Sequence, residues 1–269
     1  MTDRITEKFN RLKSENRGGF IPFVVAGDPN LQATKELILL LAKSGASVVE
    51  LGVPFSDPVA DGVTIQASGE RALRNKVGVK NILATVAEVR KIGCEVPIIL
   101  FSYFNPILQF GLNEFAEEAK SAGVDGVLIT DLVPEEAGDF RAILTAKNLA
   151  LIMLAAPTSS DERLKKICEK ASGFIYAVSR AGVTGARTDL SGDAESLVKR
   201  LRKYTALPVA VGFGISNAEQ IKTVWQYADA AVVGSAIVAE IARLVPNADE
   251  VSADFIEKIE KFIGKIAPE

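Results

Sequence analysis

A helical stretch, a small turn carrying Gly or Ala, and a short strand of β-branched and apolar residues follow one another along this chain, and that succession limits its possible folds more than any other feature. The unit recurs at Ser44-Gly45-Ala46-Ser47-Val48-Val49, Ala122-Gly123-Val124-Asp125-Gly126-Val127-Leu128-Ile129, Ala171-Ser172-Gly173-Phe174-Ile175-Tyr176 and Tyr227-Ala228-Asp229-Ala230-Ala231-Val232-Val233. Between these runs, Leu37, Leu40 and Leu41, or Phe140, Ile143 and Leu144, fall at the three-to-four spacing of a helix face packed on a sheet. Strands that alternate with such helices build a parallel sheet covered by helices.

Eight candidate strands can be read: Phe20 to Ala26, Val48 to Leu51, Ile98 to Phe101, Val127 to Thr130, Leu149 to Leu154, Phe174 to Val178, Val209 to Gly212 and Ala231 to Gly234. Eight units favour an α/β fold in the form of a closed (βα)8 TIM barrel. An open doubly wound sheet is the competing architecture, but it usually carries a Gly-rich dinucleotide turn after its first strand. Here that turn is Gly27-Asp28-Pro29-Asn30. Arg4 to Ser14 and Asp249 to Lys265 read as extra N-terminal and C-terminal helices. With no linker or low-complexity segment in view, residues 1–269 are expected to form a single barrel domain.

Composition narrows the chemistry. The chain has 31 basic and 34 acidic residues, a net charge of −3, and no basic block of the kind nucleic-acid backbones attract. No apolar run reaches membrane-spanning length, and Met1-Thr2-Asp3-Arg4-Ile5 lacks the apolar core of a signal peptide, so a cytoplasmic location away from membranes is expected. Cys94 and Cys168 are isolated and suit packing. The sequence contains no His, the side chain most used for proton transfer near neutrality and a common zinc ligand. No metal site is expected, and carboxylates or Tyr must carry any acid–base work.

The loops after the strands of a βα barrel share one face, so residues far apart in sequence converge there. Glu50 ends the second strand, Asp61 lies in the second loop, Tyr103 and Asn105 follow the third strand, Asp131 follows the fourth, and Tyr176 lies in the sixth. A carboxylate in a buried parallel strand is expensive unless it has a partner or a task. For Glu50 the plain alternative is a strand-end charge paired with a rim Arg; for Asp61, which precedes Gly62, it is a turn residue. Val211-Gly212-Phe213-Gly214-Ile215-Ser216 and Val233-Gly234-Ser235-Ala236 follow the seventh and eighth strands. Glycines there let backbone N–H groups approach an anion, and a following helix adds its positive end.

The segments Phe20-Ile21-Pro22-Phe23-Val24-Val25-Ala26-Gly27-Asp28-Pro29 and Glu50-Leu51-Gly52-Val53-Pro54-Phe55-Ser56-Asp57-Pro58-Val59-Ala60-Asp61-Gly62 closely resemble the α subunit of tryptophan synthase. The resemblance covers nearly the whole chain, with small departures: Val25 stands where a Thr is common, and Leu132-Val133-Pro134 lacks a middle Pro. It implies a lyase of tryptophan biosynthesis that cleaves indole-3-glycerol phosphate, by a retro-aldol reaction, to indole and glyceraldehyde 3-phosphate. Glu50 and Asp61 fall on the family's catalytic carboxylates, and Tyr176 neighbours the Glu. The resemblance assigns Gly185, Gly214, Gly234 and Ser235 to the phosphate cradle, with Gly212 and Phe213 adjoining, and Phe23 and Phe101 to an indole pocket.

The stretch from Ser179 to Thr188 lacks apolar periodicity and reads as a loop. The resemblance makes it a lid in which Thr184 engages the catalytic Asp, with Arg180 alongside. Asp57, Pro58 and Asp131 would meet a β subunit in an α2β2 heterotetramer, and pyridoxal phosphate is expected only in that β subunit, with no cofactor in this chain. Two readings compete: another phosphate-binding barrel, such as a sugar-phosphate isomerase or epimerase, and a barrel that mainly activates a partner subunit. The first would more naturally use His, a metal or a strand-end Lys.

Overall fold

A computed structural model of the chain describes residues 3–179, 192–212, 214–245 and 251–267. The first half runs α1 (Arg4–Ser14), β1 (Gly19–Val25), α2 (Leu31–Lys43), β2 (Val49–Gly52), α3 (Val63–Arg74), α4 (Val79–Lys91), β3 (Ile98–Ser102), α5 (Phe104–Phe110), α6 (Leu112–Ala122) and β4 (Gly126–Ile129). The second half continues with α7 (Gly138–Ala146), β5 (Ala150–Ala155), α8 (Asp161–Lys170), β6 (Ile175–Val178), α9 (Gly192–Leu201), β7 (Val209–Gly212), α10 (Ala218–Val224), β8 (Ala230–Val233), α11 (Ser235–Leu244) and α12 (Phe255–Ile266).

The eight strands pair in sequence order and close into a parallel barrel, with β1 bonded to both β2 and β8. The (βα)8 expectation holds, and the open-sheet alternative does not. Strand ends shift by a residue or two. The second strand runs on to Gly52, which puts Glu50 within it rather than at its end. The C-terminal helix begins at Phe255, later than Asp249, and residues 246–250 lie outside the described set. No helix among the described residues is long and apolar enough to cross a membrane.

Alternation along the strands separates two apolar layers. Phe20, Val24, Val49, Leu51, Ile98 and Leu100 point outward to helices such as α2, whose Leu37, Ile38 and Leu41 are fully buried. Ile21, Val48, Ile99, Leu128, Ile152 and Val232 point into the barrel. Helix α1 closes the bottom. Its Ile5, Phe9 and Leu12 join the interior cluster, with the rings of Phe9 and Phe174 centred 5.7 Å apart.

A buried ion cluster ties this bottom face together. The Asp125 carboxylate accepts from Arg90 Nη2 at 2.8 Å, from Arg4 Nη1 at 3.1 Å and from the Ile98 N–H at 2.8 Å. The Asp125 side chain is 5% exposed and that of Arg90 10%, so neither charge has water to fall back on. Asp125→Ala should therefore cost about 3–5 kcal/mol, the range for breaking one partner of a buried pair, read from the urea unfolding midpoint. A loss of about 1 kcal/mol or less, as for an exposed pair, would show that the cluster does not hold the fold.

Candidate functional site

Parity along β2 decides where Glu50 points. It shares its face with Val48 and Gly52, inside the barrel, and pairs in register with Phe23 of β1 and Ile99 of β3. Glu50 is 1% exposed, and its Oε1 has no hydrogen-bond partner among the described residues. Burial without compensation pushes its carboxyl well above the usual range, so it favours the neutral acid. Tyr176, inward on β6, is also buried, and its phenol is raised by burial and by the Glu50 charge.

Asp61 arrives from the loop after β2, and several contacts fix it. Its N–H donates to Pro58 O at 3.0 Å, and Gln66 Nε2 donates to its carbonyl at 2.7 Å. The Tyr103 hydroxyl accepts from the Ala60 N–H at 2.9 Å and hydrogen-bonds the Asp61 carboxylate. Burial raises Asp61 to about 6, against the opposing hydrogen bond from Tyr103. The two carboxyls thus differ in kind: Glu50 is raised well above its ordinary value by burial, while Asp61, at about 6, is predominantly ionised at neutrality.

Helix α3, which follows Asp61, is clamped to the loop after β1. Arg71 Nε and Nη2 reach the two oxygens of buried Asp28 at 2.8 and 2.7 Å, Ser68 Oγ bonds the same carboxylate, and Asn75 Nδ2 donates to Pro29 O at 2.6 Å.

Phe23, Glu50, Asp61, Ile65, Phe101, Tyr176, Gly214, Val232, Gly234 and Ser235 line one cleft, which is partly open to solvent. Aromatic edges cross it: Phe23 and Phe101 centroids lie 5.3 Å apart at 75°, and Phe101 and Tyr176 lie 6.5 Å apart at 67°. Gly212 makes room for this row, since a Cβ there would sit 2.0 Å from the Tyr176 hydroxyl oxygen. At the mouth, Gly214 has φ +83, and Gly234 begins α11 with no side-chain cap, which leaves the leading amides of that helix toward the cleft.

The sequence-derived candidates Glu50, Asp61, Tyr176, Phe23, Phe101, Gly214, Gly234 and Ser235 therefore meet around one cleft. Asp57 is exposed, Pro58 half-buried, and Asp131 accepts from the Phe104 N–H at 2.7 Å at the same end of the barrel. Arg180, Thr184, Gly185 and Phe213 lie outside the described residues. Phe55, which reads as an exposed aromatic, is half-buried, its ring 5.2 Å from that of Tyr103. Two participants, Val232 and Ile65, carried no assignment from sequence, and Tyr103 was placed only as a residue after the third strand. Val232 was legible from its parity with Gly234, and Tyr103 from its parity with Phe101. Ile65 belongs to a helix that no strand pattern announces.

A family model described as Tryptophan synthase alpha chain matches residues 9–266. The chain is 48% identical over 269 residues to the tryptophan synthase alpha chain of Geobacter sulfurreducens, covering 97% of this chain and 99% of that one. Its structure is similar to that of tryptophan synthase subunit alpha from Legionella pneumophila, with TM-score 0.88, 36% identity and coverage of 98% of this chain and 96% of that chain. It is also similar to a chain of the tryptophan synthase complex from Pyrococcus furiosus, with TM-score 0.82, 37% identity and coverage of 93% and 97%.

The raised Asp61 carboxyl fixes a sign for stability against pH. The folded chain holds this proton up to about 6, whereas an ordinary Asp releases it near 3.8, so stability falls as pH rises through that window. The penalty is complete above the folded value. Asp61→Asn, neutral throughout, should unfold at a higher temperature than the parent at about pH 8, with the difference shrinking below about 6 and gone below 3.8. Thermal unfolding at stepped pH checks this, and a constant or reversed difference would contradict it.

Proposed function

The chain belongs to the tryptophan synthase alpha chain family, lyases that cleave indole-3-glycerol phosphate in tryptophan biosynthesis, and we propose that Glu50 and Asp61 carry this cleavage. The family has no cofactor of its own, and pyridoxal phosphate belongs to the β subunit. The observation that carries the residue assignment is the pair of unlike carboxyls facing one apolar cleft: Glu50 enclosed and unpartnered at Oε1 among the described residues, Asp61 held by Tyr103.

Cleaving the carbon–carbon bond of the substrate needs a place for its electrons, and the indole ring supplies it. Neutral Glu50 donates its proton to C3 of the ring, giving an indoleninium whose positive charge is shared by the ring nitrogen. Ionised Asp61 accepts the N–H at that nitrogen and stabilises the cation. The Glu50 carboxylate then takes the proton of the adjacent side-chain hydroxyl. The oxygen electrons form the aldehyde carbonyl, the carbon–carbon bond breaks, and its pair restores the aromatic indole. Glu50 ends neutral, as it began.

Phe23, Phe101 and Tyr176 give the ring apolar walls, while Gly214, Gly234 and Ser235 receive the phosphate on backbone amides and the start of α11. Gly212 and Phe213 adjoin this cradle. Gly185 is proposed to bind the same phosphate, and Thr184 and Arg180 to act in a lid over the substrate; all three lie outside the described residues. A phosphorylated substrate is retained inside the cell, which supports a cytoplasmic location.

The partner is the β subunit, in an α2β2 assembly. Val59 and Val63, in and just after the loop that carries Asp57 and Pro58, are each 80% exposed. Exposed apolar side chains grouped around one loop support docking of another protein there. The same loop carries Asp61, so a partner that grips it preorganises a catalytic group.

Glu50→Gln should keep the fold and lower indole release by at least about 10²–10⁴-fold; near-parental turnover would sink the assignment. Gly234→Asp should weaken glycerol phosphate binding in calorimetric titration, because its Cβ would already meet Phe23 at 3.3 Å and the carboxylate repels the anion. An unchanged dissociation constant would move the phosphate site elsewhere. Adding β subunit should raise turnover of the parent, and Pro58→Ala should reduce that gain while sparing the basal rate. Equal loss of basal rate, or no activation of the parent, would rule out communication through the loop.

A further inference from the structure

A second chamber adjoins the reaction cleft. The two share Phe23, Asp61, Ile65 and Phe101, but only the first is bounded by Glu50. The second extends beneath the loop after β2 toward Val25 and Gly69. Gly69 lies inside α3, where glycine is the least favourable residue short of proline. Neither a turn nor close packing explains it: Gly69 is buried, yet a Cβ built on it meets no heavy atom within 4 Å. By contrast, a Cβ on Gly52 would strike the Phe23 ring at 2.7 Å. Gly69 therefore borders open space. That space is small, with room for about one methyl-sized group. Val25, Val53 and Phe55 make its walls largely apolar, and its polar neighbours are already engaged, Gln66 with the Asp61 carbonyl and Tyr103 with the Asp61 carboxylate.

We propose that this chamber accepts a small apolar substituent on the benzene ring of the substrate's indole, a chlorine or methyl at C6, and that Gly69 sets this tolerance. The inference rests on the reading that the ring N–H meets Asp61 and C3 meets Glu50. In that pose the ring edge adjoining N1, with C6 and C7, turns toward Asp61, whereas C4 lies beside C3 and Glu50. The chamber borders Asp61 and not Glu50. C7 is too near the N–H contact with the carboxylate to carry extra bulk, which leaves C6. Moving an apolar substituent from water to apolar walls favours its binding.

The test compares kcat/KM for indole-3-glycerol phosphate and its 6-chloro and 4-chloro analogues. With the unmodified full chain, the 6-chloro analogue should be cleaved within about threefold of the parent substrate and the 4-chloro analogue at least about tenfold less well. Gly69→Val should lower the ratio of 6-chloro to parent kcat/KM by about tenfold or more. Gly69→Ala, which favours the helix and adds one methyl group to the space, should lower the ratio in the same direction without lowering the thermal midpoint. Rejection of both analogues alike, or an unchanged ratio in the two variants, would overturn the proposal while cleavage of the parent substrate stood. Failure to cleave the unsubstituted substrate would overturn the underlying reading of the site, and this inference with it.

Discussion

An ionisable side chain inside a parallel barrel sets the terms for the rest of the site. Glu50 occupies an inward position that Ile21, Ile99 and Leu128 fill with hydrocarbon on other strands. Burial is what raises its carboxyl. A neutral acid is the form such a place allows, and the cleft's remaining features suit a reaction that uses one. The apolar rings of Phe23 and Phe101 exclude water, and Asp61 supplies a fixed negative charge nearby. An Arg opposite Glu50 would have stabilised the carboxylate and removed the acid from use.

The two ends of the barrel divide the work. At the bottom, charges are matched: Asp125 with Arg90 and Arg4, capped by the apolar face of α1. At the top, Glu50 lacks a partner at one oxygen among the described residues, and Gly69 leaves space unfilled. The Asp28–Arg71 clamp is the structural counterweight there, holding α3 and the loop that carries Asp61 against β1. This is the expected pattern of a fold whose stability lies in its base and whose chemistry lies in its strand-end loops.

Much of the architecture was legible because strands and helices leave different periods. Four of the eight strands were visible as apolar runs after a small turn and the others as short apolar runs, and the inward direction of Tyr176 and Phe101 follows from alternation once the strand is placed. Glu50 was legible for a different reason, being a charge where a buried strand should be apolar. The extra helices after β2 and β3 were not anticipated, since α3 and α5 lie where strand counting expects loops. The Arg71–Asp28 contact joins residues 43 positions apart through a salt bridge that no local pattern marks. Tyr103 was seen only as a residue after a strand. Its place beside Asp61 depends on how the loop after β2 folds back, with the Ala60 N–H as the anchor.

The central claim is that the barrel interior, by burial, raises the Glu50 carboxyl well above an ordinary glutamate and so favours the acid form from which it would donate a proton. A carbon-13 NMR titration of the glutamate side-chain carboxyls in the folded chain, with the Glu50 signal assigned by its absence in Glu50→Gln, measures this directly. Glu50 should titrate well above the ordinary value of 4.5. A Glu50 carboxyl that ionises near the ordinary value of 4.5 would contradict the account.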